Sequence, residues 1–155
     1  MEIKSKIDGT NYKRRAIINY GEYKNYVNNN IFPNKYQQII KEIDYYTKKN
    51  DLVPYIYIGY DRYSYYSKEN ENLRLTIDFN LRYRFDDLKL CHKDSDKLYF
   101  DNNDTYILEL KSDKGLPIWL SNFLLEHKLY RIPFSKIKKI IEKEMRSKDV
   151  WKRFK

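Results

Sequence analysis

The stretch Leu73-Arg74-Leu75-Thr76-Ile77-Asp78-Phe79-Asn80-Leu81-Arg82-Tyr83-Arg84-Phe85 decides the fold. Apolar or aromatic side chains hold every odd position, and polar side chains hold every even one. A period of two over this length predicts a β-strand with one apolar and one polar face. The polar face carries Arg74, Arg82 and Arg84, and the guanidinium fork is the side chain best shaped to grip phosphate or carboxylate oxygens in pairs. Upstream, the tyrosine-rich run from about Pro54 to Tyr66, broken by Gly59, reads as a preceding strand with Arg62 in its second half. The connecting segment Ser67–Asn72 makes the two a hairpin. Downstream, Thr105–Lys111 reads as another strand, with Tyr106, Leu108 and Leu110 on one side and Ile107, Glu109 and Lys111 on the other. A shorter strand is expected near Leu88–Cys91.

Toward the N-terminus, residues 1–19 read as two short strands around Asp8-Gly9, a dipeptide that marks tight hairpin turns. Lys13 and Arg15 share a face of the second strand. Residues 21–30 read as a helix ending in Asn28-Asn29-Asn30. After Pro33, Asn34 is expected to cap a helix with an apolar face of Tyr36, Ile39, Ile40, Ile43 and Tyr46, closed by Lys48-Lys49 at its negative end. Pro117 opens a helix with Ile118, Trp119, Leu120, Phe123 and Leu124. Ser135 starts a last helix with Ile137, Ile140, Ile141 and Met145 on one side. The fold class is therefore α+β, with a largely antiparallel sheet and helices gathered toward one side. One domain over residues 1–146 is expected, followed by a basic tail, 147–155, in which Trp151 can dock.

Of 155 residues, 31 are lysine or arginine and 22 are acidic, giving a net charge of +9 on a surface of mixed sign. That bias favours polyanionic partners. Seventeen tyrosines and seven phenylalanines supply the mass of a core, so disorder is excluded as the general state. Cys91 is the single cysteine, which rules out an internal disulfide and suits a reducing, cytoplasmic setting. Cys91-His92 invites a catalytic or metal-binding reading, but adjacent residues of a strand point to opposite faces. No segment approaches the ~18 apolar residues of a transmembrane span.

The four glycines, at 9, 21, 59 and 115, form no phosphate-binding loop, and there is no zinc spacing or nucleophile elbow. Any phosphate must be held by side chains. Arg62, Arg74, Arg82, Lys4, Lys13, Arg15 and Lys111 are the candidates, because these strand faces collect cations with few carboxylates. Glu109 two residues before Lys111 suits a metal–nucleotide site, with a carboxylate for a divalent ion and an ammonium for phosphate. A cross-strand salt bridge accounts for the same pair. Ser135-Lys136 at a helix start reads either as a helix cap or as a phosphate seat.

Taken in order, several short segments resemble the VTC domain, a polyphosphate polymerase module of the triphosphate tunnel metalloenzyme superfamily. They are Glu2-Ile3-Lys4, Lys13-Arg14-Arg15, Tyr60-Asp61-Arg62-Tyr63-Ser64-Tyr65-Tyr66 and Leu73-Arg74-Leu75-Thr76-Ile77-Asp78, then Leu108-Glu109-Leu110-Lys111, Leu116-Pro117-Ile118-Trp119-Leu120 and Phe134-Ser135-Lys136. The resemblance implies an antiparallel barrel or partial tunnel whose inward cations hold a triphosphate. It implies transfer of the terminal phosphate of ATP to polyphosphate with Mn²⁺ or Mg²⁺. Arg62, Arg74 and Lys111 would act on the transferred group, Lys4, Lys13, Arg15, Arg82, Ser135 and Lys136 would bind phosphate, and Glu109 would hold the metal. The family carries a further basic strand before Glu-Ile-Lys, so the resemblance covers about the C-terminal two-thirds of its domain. The expectation is an N-terminally shortened domain, with another chain as one source of the remaining strands. The wider superfamily also contains hydrolases and cyclases, so the direction of reaction stays open. A non-catalytic polyanion binder is the alternative, and nucleic acid is disfavoured because a sheet core needs the same aromatics.

Overall fold

The fold is taken from a computed structural model, which describes residues 1–8, 10–68, 72–102 and 104–146. The chain divides into two compact units, Met1–Pro54 and Tyr55–Lys155. In the first, β1 (Glu2–Ile7) and β2 (Thr10–Arg15) form the expected antiparallel hairpin, with Ile7 opposite Thr10. Asp8, the first central position of the turn, takes a left-handed backbone (φ 48°), as primed hairpin turns do there, while Gly9 lies outside the described residues. Reciprocal backbone bonds between Met1 and Ala16, of 2.7 and 2.9 Å, close the open end of the hairpin.

Helix α1 (Tyr20–Asn29) begins with a capping box. Glu22 N–H donates to the Asn19 side chain and Asn19 N–H to the Glu22 carboxylate, both at 2.8 Å. Asn30 ends it in the left-handed region. Helix α2 (Gln37–Lys49) buries Ile40 from the expected apolar face. Its start differs from the expectation: the N-cap is Tyr36, at φ 60°, and not Asn34. That left-handed residue turns the chain before the first helical bond, from Ile40 N–H to Tyr36 O. Tyr26 Oη donates to Asp44 (3.1 Å), tying α1 to α2, and burial together with that carboxylate pushes the Tyr26 phenol up to about 12.

The second unit is organised by β4 (Arg74–Arg84). β3 (Tyr57–Tyr66) runs antiparallel along one edge of it, and β6 (Ile107–Lys111) and the short β5 (Lys97–Leu98) follow one another along the other. The sheet is antiparallel and open, without closure into a barrel among the described residues. Helices α3 (Ile118–Glu126) and α4 (Lys136–Arg146) follow. Pro117 stands one residue before α3, as its N-cap.

The alternation in β4 does not survive intact. Asp61 lies opposite Phe79 and Gly59 opposite Arg82, so one extra residue of β4 is inserted between them, and Asn80 there has φ 50°. This β-bulge inverts the pleat beyond it. Arg74, Thr76 and Asp78 therefore share a face with Leu81 and Tyr83, whereas Arg82 and Arg84 join Leu75, Ile77 and Phe79 on the other. The single three-arginine face expected from the sequence is corrected accordingly. Gly59 leaves room where the strands adjust, since a Cβ there would meet the Arg82 and Tyr57 side chains at 3.1 and 2.8 Å and displace them.

The bulge determines what α4 buries. Tyr83, Leu81 and Ile140 are fully buried in the core. Along α4 the inward stripe is Lys136, Ile140 and Glu144, spaced by four. Glu144 accepts from Tyr83 Oη at 2.6 Å and from Lys97 Nζ at 3.1 Å, and burial and that carboxylate drive the Tyr83 phenol upward. The expected apolar stripe is only partly right, because Ile137 and Met145 are half exposed.

The strand expected near Leu88–Cys91 is absent, and the short strand is Lys97–Leu98 instead. Arg84, buried on its own face, donates to the carbonyls of Asp87 and Lys89, and Lys89 and Cys91 N–H bond two residues back, curling the segment. Arg84 also binds Asp96 at 2.6 Å and stacks 3.8 Å from the Tyr57 ring centre. Although burial disfavours the charge, hydrogen bonds from Arg84, His92 and Lys93 N–H hold the Asp96 carboxyl at about 2. His92 is thereby committed to Asp96 (2.9 Å), and Cys91 is exposed.

Asn80→Val forces a β-branched residue into the left-handed region and should cost about 1–2 kcal/mol, whereas Asn80→Gly should lose less. Urea unfolding of the two variants beside the wild type measures the difference.

Candidate phosphate-binding face

Three rows cross β3, β4 and β6 on one face of the open sheet. They are Tyr66–Arg74–Lys111, Ser64–Thr76–Glu109 and Arg62–Asp78–Ile107. Pairing across strands, rather than proximity in sequence, brings Arg62, Arg74, Glu109 and Lys111 together. The N-terminus of α4 adds Lys136.

Asp78 lies at the base of the group, 1 % exposed, and sequence reasoning did not place it in the site. Arg62 grips it with both branches of its fork, Nε on Oδ1 and Nη2 on Oδ2, the latter at 2.7 Å, and Lys136 Nζ lies 2.6 Å from Oδ2. Burial opposes ionisation of this carboxyl, but the hydrogen bonds from Arg62 and Lys136 outweigh it and hold the group below its ordinary value. The Arg62 guanidinium is driven upward in turn, chiefly by its hydrogen bond to Asp78. The Tyr60 ring receives both cations on its π-system, Arg62 at 4.9 Å and Lys136 at 4.6 Å. The signal for Asp78 in the sequence was a lone carboxylate midway along an arginine-bearing strand.

Glu109 is the other carboxylate of the face and is about half exposed. It pairs with Lys111 at 3.0 Å and, more loosely, with Arg62 at 3.8 Å. Both readings of Glu109 and Lys111 are thus compatible with the geometry: they form a salt bridge, and they stand among phosphate-type cations. Arg74 lies 5.1 Å from the Tyr66 ring centre and pairs with no carboxylate among the described residues. Ser135 caps α4, its Oγ accepting from Lys138 N–H at 3.4 Å, which matches the capping reading. Arg82 is not in this group. It faces the other way and binds Asp61 at 3.3 Å, beside the bond from Asn80 to the same carboxylate.

Lys4, Lys13 and Arg15 belong to the first unit. Lys4 is directly opposite Lys13, and Arg15 is opposite Glu2 on the same face. Glu2 bridges Lys4 (3.2 Å) and Arg15 (2.8 Å), while Lys13 makes no ion pair among the described residues.

Four cations, Arg62, Arg74, Lys111 and Lys136, thus converge with two carboxylates, one of them buried. The family model of the VTC domain matches residues 1–143. The chain belongs to the VTC domain family. No curated protein and no solved structure gives a significant match. Membership of the VTC domain family assigns the chain a polyphosphate-related function and a phosphate-rich ligand. Among the described residues of this VTC domain, no helix is long and apolar enough to cross a membrane, and no three histidine, cysteine or acidic side chains cluster as a ready-made metal cage.

Removing the Asp78 carboxylate takes the close counter-charge from both Arg62 and Lys136 and leaves Arg62, among the described residues, only its loose ion pair with Glu109. Asp78→Ala should cost up to about 3 kcal/mol, at the lower end for a broken buried pair because both cations are partly solvated. Because the folded-state value of Asp78 is depressed, its contribution is complete above the unfolded value of about 4 and is lost as pH falls below it. Wild type should therefore lose more stability between pH 6 and pH 3 than Asp78→Asn does, as measured by denaturant midpoints.

Proposed function

We propose that this VTC domain binds triphosphate or polyphosphate on the face formed by Arg62, Arg74, Lys111 and Lys136, and transfers the terminal phosphate of ATP to a polyphosphate chain. The observation that carries the reading is the convergence of those four cations from three strands and a helix onto one open sheet face. Arg62 and Lys136 are held in place by Asp78 before any ligand arrives, whereas Arg74 pairs with no carboxylate among the described residues. Phosphoryl transfer asks little covalent chemistry of a protein. It needs the phosphates positioned and their charge neutralised.

The donor set fits a divalent ion that arrives with the phosphates. Glu109 is a half-exposed carboxylate at the rim, whereas Asp78 is buried and doubly engaged. Mg²⁺ and Mn²⁺ accept this arrangement, one carboxylate plus phosphate oxygens, in place of an all-protein cage. Glu109 would hold the ion, which would supply positive charge to neutralise the phosphates during transfer. An incoming phosphate that engages Lys111 and Arg62 releases Glu109 from both. Lys4, Lys13, Arg15 and Ser135 are further phosphate-binding candidates, whereas Arg82, turned to the other face and paired with Asp61, is left out of the proposed site.

Incubating the chain with ATP and Mn²⁺ and resolving the products on a polyphosphate gel tests the reading. Chains of growing length are expected from the wild type, with Arg62→Ala slower by about 10²–10³-fold. Glu109→Gln should lose metal stimulation while still binding tripolyphosphate. Tight tripolyphosphate binding without any product, with Mn²⁺ or Mg²⁺, would contradict transfer and leave a polyanion-binding domain.

A further inference from the structure

Thr76 occupies the centre of the three rows, between Ser64 and Glu109 across the sheet and between Arg74 and Asp78 along β4. It is 3 % exposed, and its Oγ1 makes no hydrogen bond among the described residues. The Nε–H of Arg74, two residues away on the same face, is likewise buried and unpartnered. The other such atom among the described residues, Arg82 Nε, belongs to the opposite face. Buried polar groups nearly always find partners, because leaving one unpaired forfeits its hydration without return. A residue here for packing alone would be valine, which has the same shape, suits a strand and buries no hydroxyl. Two idle donors, two residues apart on one face and grouped with Arg62, Lys111 and Lys136, describe a place that an acceptor oxygen fills.

We propose that Thr76 is a further phosphate ligand: its hydroxyl and Arg74 Nε–H together hold one oxygen of the bound phosphate chain against the floor of the sheet. The proposal rests on the phosphate-binding reading above and deepens it. Glu109, paired with Lys111 and Arg62, stands beside this seat, and its half-exposed carboxylate can move aside as phosphate takes those cations. Neither arginine nor lysine can substitute for the hydroxyl, which is short enough to stay at sheet level.

The test compares wild type, Thr76→Val and Thr76→Ser in the full chain by calorimetric titration of tripolyphosphate and by thermal melting without ligand. Thr76→Val should melt at or above the wild-type temperature, having lost an unpaired hydroxyl, yet bind tripolyphosphate about tenfold more weakly. Thr76→Ser should bind within about twofold of wild type. Wild-type binding with an unchanged affinity in Thr76→Val would overturn this inference alone, as would a serine variant as weak as the valine one. An unfolded valine variant would also overturn it, since the hydroxyl is held to be dispensable to the fold. No tripolyphosphate binding by the wild type would overturn the inference together with the reading beneath it.

Discussion

The extra residue at Asn80 is the constraint on which the second unit depends. In an unbroken strand Asp78 and Tyr83 would point to opposite faces, and no single helix could meet both. The bulge turns both toward α4, whose inward stripe answers them with Lys136 below and Glu144 above, around the apolar Ile140. The same inversion sends Arg82 and Arg84 to the far face, each to its own carboxylate, Asp61 or Asp96. What remains on the near face, among the described residues, is a set of cations with fewer carboxylates than charges.

Asp78 converts that geometry into a prepared site. A buried carboxylate is tolerated only when its partners are close and well aligned, and here the forked contact from Arg62 and the ammonium of Lys136 supply both. The cost of burying the ion is balanced by its pairs, and net stability is not the main consequence. The main consequence is position: two flexible cations, one from a strand and one from a helix, are held in fixed places beside Tyr60. Cations placed in advance spend less of their interaction with phosphate on being ordered, which is the way preorganised electrostatics contribute to phosphoryl transfer.

The strands and helices were legible because their side chains follow the period of two or of 3.6, and the cross-strand grouping of Arg62, Arg74, Glu109 and Lys111 follows from those strands once paired. The bulge was not legible. Perfect alternation conceals an inserted residue, since only pairing with β3 reveals it. Two residues hinted at it: Asn80, a type that tolerates the left-handed region, and Gly59 on the facing strand. Arg82 was misplaced for that reason alone. Asp78 and Thr76 escaped notice because their roles depend on burial, which a polar residue on a polar strand face does not announce. Leu88–Cys91 has the composition of a strand, but the Arg84 side chain captures its carbonyls. On α4, ion pairing at Lys136 and Glu144 outweighed hydrophobic periodicity in choosing the buried side.

The most direct test of this account compares two arginines that the sequence treats alike and the bulge separates. Tripolyphosphate is titrated into the wild type, Arg74→Ala and Arg82→Ala. The account predicts binding about tenfold to a hundredfold weaker in Arg74→Ala, the loss of one charge-assisted contact, and near wild-type affinity in Arg82→Ala. Equal losses in both would contradict it, for they would place the two arginines on the same phosphate-binding face.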